Sequence, residues 1–231
     1  MFSLLKRLEV TTLALIAGLG AALWTFLLLS DEIQESSVSR FDRTVMLAMR
    51  VPGHPSDPLG SPVFEEAVRD VTGLGSFVVL TLVTVVALIA LLNFGQRRQA
   101  LVFLIAVAFA QACSEILKAF FDRPRPDLVP HGVLVYSQSF PSGHSLLSAV
   151  VFLTLAAIVS SQQDRWRFKI FAFAVAIVLT GAIGLSRIYL GVHWPTDVLG
   201  GWTLGAAVAL AARLSLGIWS RQKLVEGDSE I

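Results

Sequence analysis

Two histidines in this chain begin or precede long apolar segments, in surroundings suited to proton transfer. His144 closes the polar turn SFPSGHS, and Ser142 in that turn can cap the helix that follows. A helix start leaves backbone N–H groups unpaired and carries the positive end of the helix dipole. Such an end binds anions readily, and His144 could donate or accept a proton beside one. An ordinary helix start with an incidental histidine fits the same residues.

The second histidine is followed four positions later by a carboxylate. Asp197 lies about one helical turn beyond His193, although Pro195 indicates that the helix begins between them. Asp197 could accept the N–H of one ring nitrogen and make the other more nucleophilic, as the third member of a catalytic triad does. The alternative is that Asp197 only caps the helix start.

Three cations lie near the ends of apolar segments: Lys118, Arg125 and Arg187. Together with a helix N-terminus they would form a cage for a multiply charged anion, most simply phosphate. One histidine could then attack phosphorus while the other protonates the leaving oxygen. Taken singly, these cations could instead be snorkelling or anchoring residues at the membrane edge. The adjacent charges look like local loop charges: Asp122, Arg123 and Asp127.

Composition predicts an all-α, polytopic membrane protein with a single domain, residues 1–231. Of the 231 residues, 55% are hydrophobic and only 15% are charged, which is less charge than a soluble domain carries. A net charge of +1 without a basic stripe gives no indication of nucleic-acid binding. The single cysteine, Cys113, cannot form an intramolecular disulfide.

Six apolar runs are long enough to be membrane spans. They cover about 11–29, 74–94, 99–118, 144–161, 168–186 and 196–217. The first follows a basic flank but lacks a small-residue cleavage site, so it is expected to be a retained anchor. In the polar loop at 30–73, SRFDRTVMLAMR has the pattern of an amphipathic interfacial helix, and an ordinary loop helix fits it equally well. A short helix is predicted to begin at Ser61 and Pro62.

Alternating spans place the candidate residues on one membrane face, because about 20 helical residues cross a bilayer. This face holds Lys118, Arg125, Ser142, His144, Arg187, His193 and Asp197. Charges at the membrane edge are costly unless they pair or serve a site, so the grouping favours a site. Ten of the 18 Lys and Arg lie on the other side, against eight here, three of which are the site cations. The site is therefore expected on the extracytoplasmic side.

Three ordered boxes carry a family likeness. KAFFDRPRP at 118–126 has the form KxxxxxxRP, PSGH occupies 141–144, and SRIYLGVHWPTD at 186–197 has the form SRxxxxxHxxxD. These boxes, which extend over about a third of the chain, resemble the type 2 phosphatidic acid phosphatase superfamily of membrane lipid phosphatases. Soluble vanadium haloperoxidases share the boxes, but six apolar spans disfavour that branch.

The resemblance implies a role for each matched residue. His193 would be the nucleophile that forms a phosphohistidine, Asp197 its orienting partner, and His144 the acid and then the base. Phosphate would be bound by Lys118, Arg125, Ser142, Gly143 and Arg187. No metal or other cofactor is implied.

The six-span layout is similar to bacterial enzymes that hydrolyse phosphatidylglycerophosphate, phosphatidic acid or undecaprenyl pyrophosphate. It implies an inner (cytoplasmic) membrane location with the site on the periplasmic side. The expected partners are a membrane lipid phosphate and the bilayer, without nucleic acid or an obligatory protein partner.

Three alternatives remain open at this stage. A phosphotransferase would pass the phosphoryl group to another lipid, such as lipid A, instead of water. A metal site could be built from His144, His193, Asp197 and His131, although three nearby cations would oppose a metal ion. A lipid carrier would use the cage only to hold phosphate.

Overall fold

The computed structural model describes residues 2–35, 38–135 and 137–228. The described residues form the helices α1 (Phe2–Glu35), α2 (Arg40–Leu47), α3 (Pro62–Gly73), α4 (Phe77–Asn93), α5 (Arg97–Phe121), α6 (Gly143–Ser161), α7 (Trp166–Tyr189) and α8 (Pro195–Asp228). A two-stranded hairpin, β1 (Arg50–Val51) and β2 (His54–Pro58), follows α2. The prediction of an all-α polytopic membrane protein is confirmed.

Within the described part of the chain, five helices are long and apolar enough to cross a membrane. They are Val10–Gln34, Arg97–Phe121, Gly143–Ser161, Trp166–Tyr189 and Pro195–Gly217. A sixth span results if α3 and α4, which are bent by 47° at a short break, count as one. The break arises where Ser76 starts a new helix, its Oγ accepting from Val79 N at 3.3 Å. The second predicted span, 74–94, corresponds to α4, and the short helix expected to begin at Ser61 and Pro62 corresponds to α3.

The segment between α1 and α4 is more ordered than expected. A helix forms in each of the two predicted places, and each is capped by a serine, Ser39 for α2 and Ser61 for α3. The interfacial position of α2 stays a prediction. The hairpin is the difference, since prolines in the segment PGHPSDPLGSP indicated only turns. Its strands are very short and the second is almost wholly exposed, where proline costs few ladder hydrogen bonds.

The core lies around α6, the most enclosed span. In the most apolar 18-residue stretch of α6, 61% of the residues are buried inside the protein, against 44% in that of α8 and 28% in that of α5. Glycines of α8 allow close contact: a Cβ on Gly205 would lie 2.6 Å from Ala149 Cβ, and one on Gly201 would lie 2.7 Å from Ser142 O. This approach brings the N-terminal ends of α6 and α8 side by side.

Candidate active site

A cavity of about 370 Å³ lies where α5, α6 and the loops before α6 and α8 meet. Six of the eight predicted site residues line it: Lys118, Arg125, Gly143, His144, Arg187 and His193. The other two, Ser142 and Asp197, are fully buried behind the cavity wall. The structure thus brings together residues that the sequence spreads over 80 positions.

His193 presents its two ring nitrogens to different surroundings. Nδ1 is 3.4 Å from Asp197 Oδ2, while Nε2 is 3.3 Å from Arg125 Nη1 at the cavity wall. Asp197 Oδ2 also accepts from Trp194 N at 2.8 Å, so this carboxylate both caps α8 and faces the imidazole. A proton on Nδ1, directed at Asp197, leaves the Nε2 lone pair toward the cavity.

Burial keeps the His193 imidazole neutral. The side chain is almost completely enclosed, and loss of hydration lowers the pKa of His193 to about 3, with the hydrogen bond and charge of Asp197 opposing the shift. The neutral ring is the nucleophilic form. Its basicity would increase once an anion fills the cationic cavity.

The cations around the cavity are held by neighbouring oxygens. Arg125 donates to Ser137 O at 2.7 Å and to Val192 O at 2.6 Å. Burial lowers the pKa of the Arg125 guanidinium, while Asp197 opposes this. Arg187 Nη1 donates to Thr72 Oγ1 at 2.9 Å, and its buried Nε has no protein partner. An unpaired buried donor beside a cavity is suited to an anionic oxygen.

The start of α6 forms one wall of the cavity. Lys118 Nζ approaches so closely that a Cβ on Gly143 would lie 3.3 Å from it. Ser142 Oγ accepts from Ser145 N at 3.4 Å and from Ser145 Oγ at 3.0 Å, which is the expected cap. Its binding of phosphate stays a prediction. His144 faces the α3–α4 break, where Gly75 packs against its ring.

One prediction about the loops was wrong. Arg123 is not a local loop charge: it is buried, donates to Asp42 Oδ2 at 2.7 Å and also donates to Asp197 Oδ1. Asp122 and Asp127, by contrast, are exposed. Ser139, also missed, donates its hydroxyl to Asp197 Oδ2 and lies 3.5 Å from His193 Nδ1.

His131, the fourth residue of the alternative metal site, does not line this cavity. His131 Nε2 pairs with Pro126 O at 2.8 Å, and the side chain lines a separate, smaller cavity beside β2. Among residues 2–35, 38–135 and 137–228 no group of three or more His, Cys, Asp or Glu is arranged to hold a metal ion.

Comparisons with known proteins relate this chain to several membrane phosphatases. The model of the PAP2 superfamily matches residues 99–220. Phosphatidylglycerophosphatase B of Bacillus subtilis is 31% identical over 183 residues, covering 78% of this chain and 85% of that protein. An undecaprenyl-diphosphatase of Sulfolobus acidocaldarius is 35% identical over 71 residues, 31% of this chain and 30% of that one. The crystal structure of a transmembrane PAP2-type phosphatidylglycerolphosphate phosphatase from Bacillus subtilis superposes with a TM-score of 0.75 at 28% identity, over 84% of this chain and 94% of that chain.

Proposed function

This chain belongs to the PAP2 superfamily of membrane lipid phosphatases, and we propose that it hydrolyses a membrane lipid phosphate or pyrophosphate through a phosphohistidine on His193. The observation that carries the proposal is the His193 ring, with Nδ1 toward Asp197 and Nε2 at a cavity lined by three cations. That arrangement supplies a nucleophile, its orienting carboxylate and a binding site for a multiply charged anion.

Hydrolysis proceeds in two steps, formation of the phosphohistidine and its hydrolysis. In the first, His193 Nε2 attacks phosphorus, the bond from phosphorus to the lipid oxygen breaks, and His144 gives that oxygen a proton. Lys118, Arg125 and Arg187 stabilise the charge on the phosphoryl oxygens, together with N–H groups at Gly143 and the capped start of α6. In the second step His144 takes a proton from water, the water oxygen attacks phosphorus, and the P–N bond breaks.

The surroundings of the cavity favour a lipid substrate. Phe77, at the start of α4, lines the cavity and is 64% exposed on the apolar surface. Leu134, which also lines the cavity, is 83% exposed. A head group could therefore reach the cations while its acyl or prenyl chains stay in the bilayer. The candidates are phosphatidylglycerophosphate, phosphatidic acid and undecaprenyl pyrophosphate, and the activities of the two relatives named above support the first and the last.

The distribution of Lys and Arg indicates where the protein is located. Charge asymmetry supports an inner-membrane protein whose cavity opens on the periplasmic side. Residues 1–231 act as one unit with 118–197 as its core. No nucleic acid or obligatory protein partner enters the reaction.

Phosphate release by detergent-purified protein tests the proposal. The panel holds the three candidate lipids and a lipid A phosphate, with a chelator present. His193→Ala should lower release by about 10⁴-fold or more, and His144→Ala by roughly 10²–10⁴-fold. His54→Ala is the matched control, because His54 is exposed on the hairpin, and it should leave release unchanged.

Each rival gives a different result when the assay is also run without chelator and with a labelled lipid phosphate and an acceptor lipid. Full turnover by His193→Ala would rule out the phosphohistidine. Transfer of label to an acceptor lipid without free phosphate would make the protein a phosphotransferase. Loss of phosphate release in the presence of chelator would favour the metal-site alternative. Lipid binding without any turnover would favour a lipid carrier.

A further inference from the structure

Asp197 belongs to a buried ionic network that extends away from the cavity. Arg123 lies between two carboxylates, with Nη2 2.7 Å from Asp42 Oδ2 and Nη1 paired with Asp197 Oδ1. All three side chains are 0–1% exposed. Breaking such a buried charged set by removing one member leaves an uncompensated charge.

Arg123 is fixed by more than its ion pairs. Its guanidinium lies 5.8 Å from the centre of the Trp194 ring, and its main-chain oxygen accepts from Ser139 N at 2.9 Å. Ser139 in turn donates its hydroxyl to Asp197. Arg123 and Ser139 therefore contact the two different oxygens of the Asp197 carboxylate and leave it a single orientation toward His193.

Asp42 connects this network to helix α2. It lies in the first turn of α2, where its N–H donates to Ser39 Oγ at 3.1 Å. Its carboxylate accepts from both the main-chain N–H and the hydroxyl of Thr196, each at 2.9 Å. Thr196 is the neighbour of Asp197 in the first turn of α8, so α2 fixes the backbone that carries the orienting carboxylate.

The charges of the network explain why two carboxylates share one guanidinium. Arg123 alone would neutralise Asp197 and weaken its attraction for a positive imidazole. Asp42 adds a second negative charge, so the three groups sum to −1 and Asp197 keeps its effect on His193.

We propose that Arg123 and Asp42 are positioning residues of the phosphoryl transfer, holding Asp197 oriented and negative behind His193. This inference rests on the proposed function. Neither side chain lines the cavity, so both act on the reaction only through Asp197.

Steady-state kinetics of Asp42→Asn and Arg123→Gln test the proposal. Partners that orient metal ligands are typically worth 10–100-fold, and on the same scale kcat should fall by roughly 10-fold for Asp42→Asn and roughly 100-fold for Arg123→Gln. KM should change by less than about twofold, because the phosphate-binding groups are untouched. The double variant should lose less than the product of the two single effects, because Asp42 acts partly through Arg123 and partly through Thr196.

A second buried arginine provides the matched control. Arg50 of β1 is 5% exposed and donates to Tyr189 O at 2.8 Å and Met49 O at 3.1 Å, without contact to a carboxylate of the site. Arg50→Gln should lower the melting temperature in detergent and leave kcat of the folded protein unchanged.

Arg123→Lys covers the case in which Arg123→Gln does not fold. Lysine keeps the charge but cannot bridge two carboxylates, so kcat should lie between those of the unaltered protein and Arg123→Gln. If all variants keep kcat within twofold and lose only melting temperature, or if only KM rises, the positioning role is refuted while the proposed function stands. If the unaltered protein releases phosphate from no lipid, the proposed function fails and this inference fails with it.

Discussion

At the scale of single residues, the site depends on side chains whose nitrogen atoms lie in different surroundings. His193 turns one nitrogen to a carboxylate and the other to a cationic cavity. Arg187 donates to Thr72 with one nitrogen and keeps a buried Nε without a protein partner. Burial strengthens each of these contacts, and it also makes each charge expensive when its partner is removed.

The neutral state of His193 should make stability depend on pH. The folded pKa of about 3 lies below the unfolded value, near 6.5, so the unfolded chain binds a proton first as the pH falls. Stability from neutral His193 is complete above about pH 6.5 and is lost below it, by about 2 kcal/mol between pH 7 and pH 5. The melting temperature in detergent should therefore fall less on acidification in His193→Asn than in the unaltered protein. Equal falls would show that His193 is not held neutral, and exposed His54→Asn is the control.

Residue spacing alone located the cavity groups but not the network behind them. Lys118, His144 and His193 stand out because polar groups at the ends of apolar spans are conspicuous. Asp42 gave no signal, since it precedes Arg123 by 81 positions and lies in an amphipathic segment where a charge is unremarkable. Only the fold of α2 onto the start of α8 reveals that pair.

At the scale of elements, close packing of α6 against α8 assembles the site. The two helices begin at the same end of the bundle, with His144 in the first turn of α6 and His193 just before α8. Glycines at the contact allow the backbones to approach, and a larger residue there must push the helices apart.

Gly205→Ala should therefore destabilise the protein and impair the site. The new Cβ would meet Ala149 Cβ at 2.6 Å and Leu146 O at 2.8 Å, and neither is the end of a flexible side chain. Overpacking of this kind costs roughly 1–3 kcal/mol, so the melting temperature in detergent should fall, with lower phosphate release. Gly20→Ala in α1 is the matched control, because nothing lies within 4 Å of its added Cβ. An unchanged melting temperature in Gly205→Ala would mean that α6 and α8 do not depend on this contact.

Hydrophobic runs predicted the spans well, because burial in a bilayer demands about 20 apolar residues in a helix. The pattern also placed the boundary between α3 and α4, with the short helix ending at about Thr72 and the next span beginning at about 74, but it gave no indication of the 47° bend between them. The hairpin after α2 was missed because its pairing is very short and its prolines indicate turns instead of strands.

At the scale of the whole molecule, the two ends of the bundle differ. The cavity, α2 and the hairpin lie at one end, and the short turn between α6 and α7, with Asp164 and Arg165, lies at the other. Because the extra Lys and Arg outside the site occupy the second end, the cavity end should face away from the cytoplasm.

Cysteine labelling in intact cells tests this orientation. Cys113 is replaced by Ala, and single cysteines are introduced by Asp57→Cys on the exposed hairpin or Asp164→Cys on the exposed α6–α7 turn. A maleimide that reaches the periplasmic side but cannot cross the cytoplasmic membrane should label Asp57→Cys in intact cells. It should label Asp164→Cys only after permeabilisation. Both variants must retain phosphate release, since neither contacts the cavity. The reverse labelling pattern would place the cavity on the cytoplasmic side, where the phosphatase would draw on lipid phosphates of the inner leaflet.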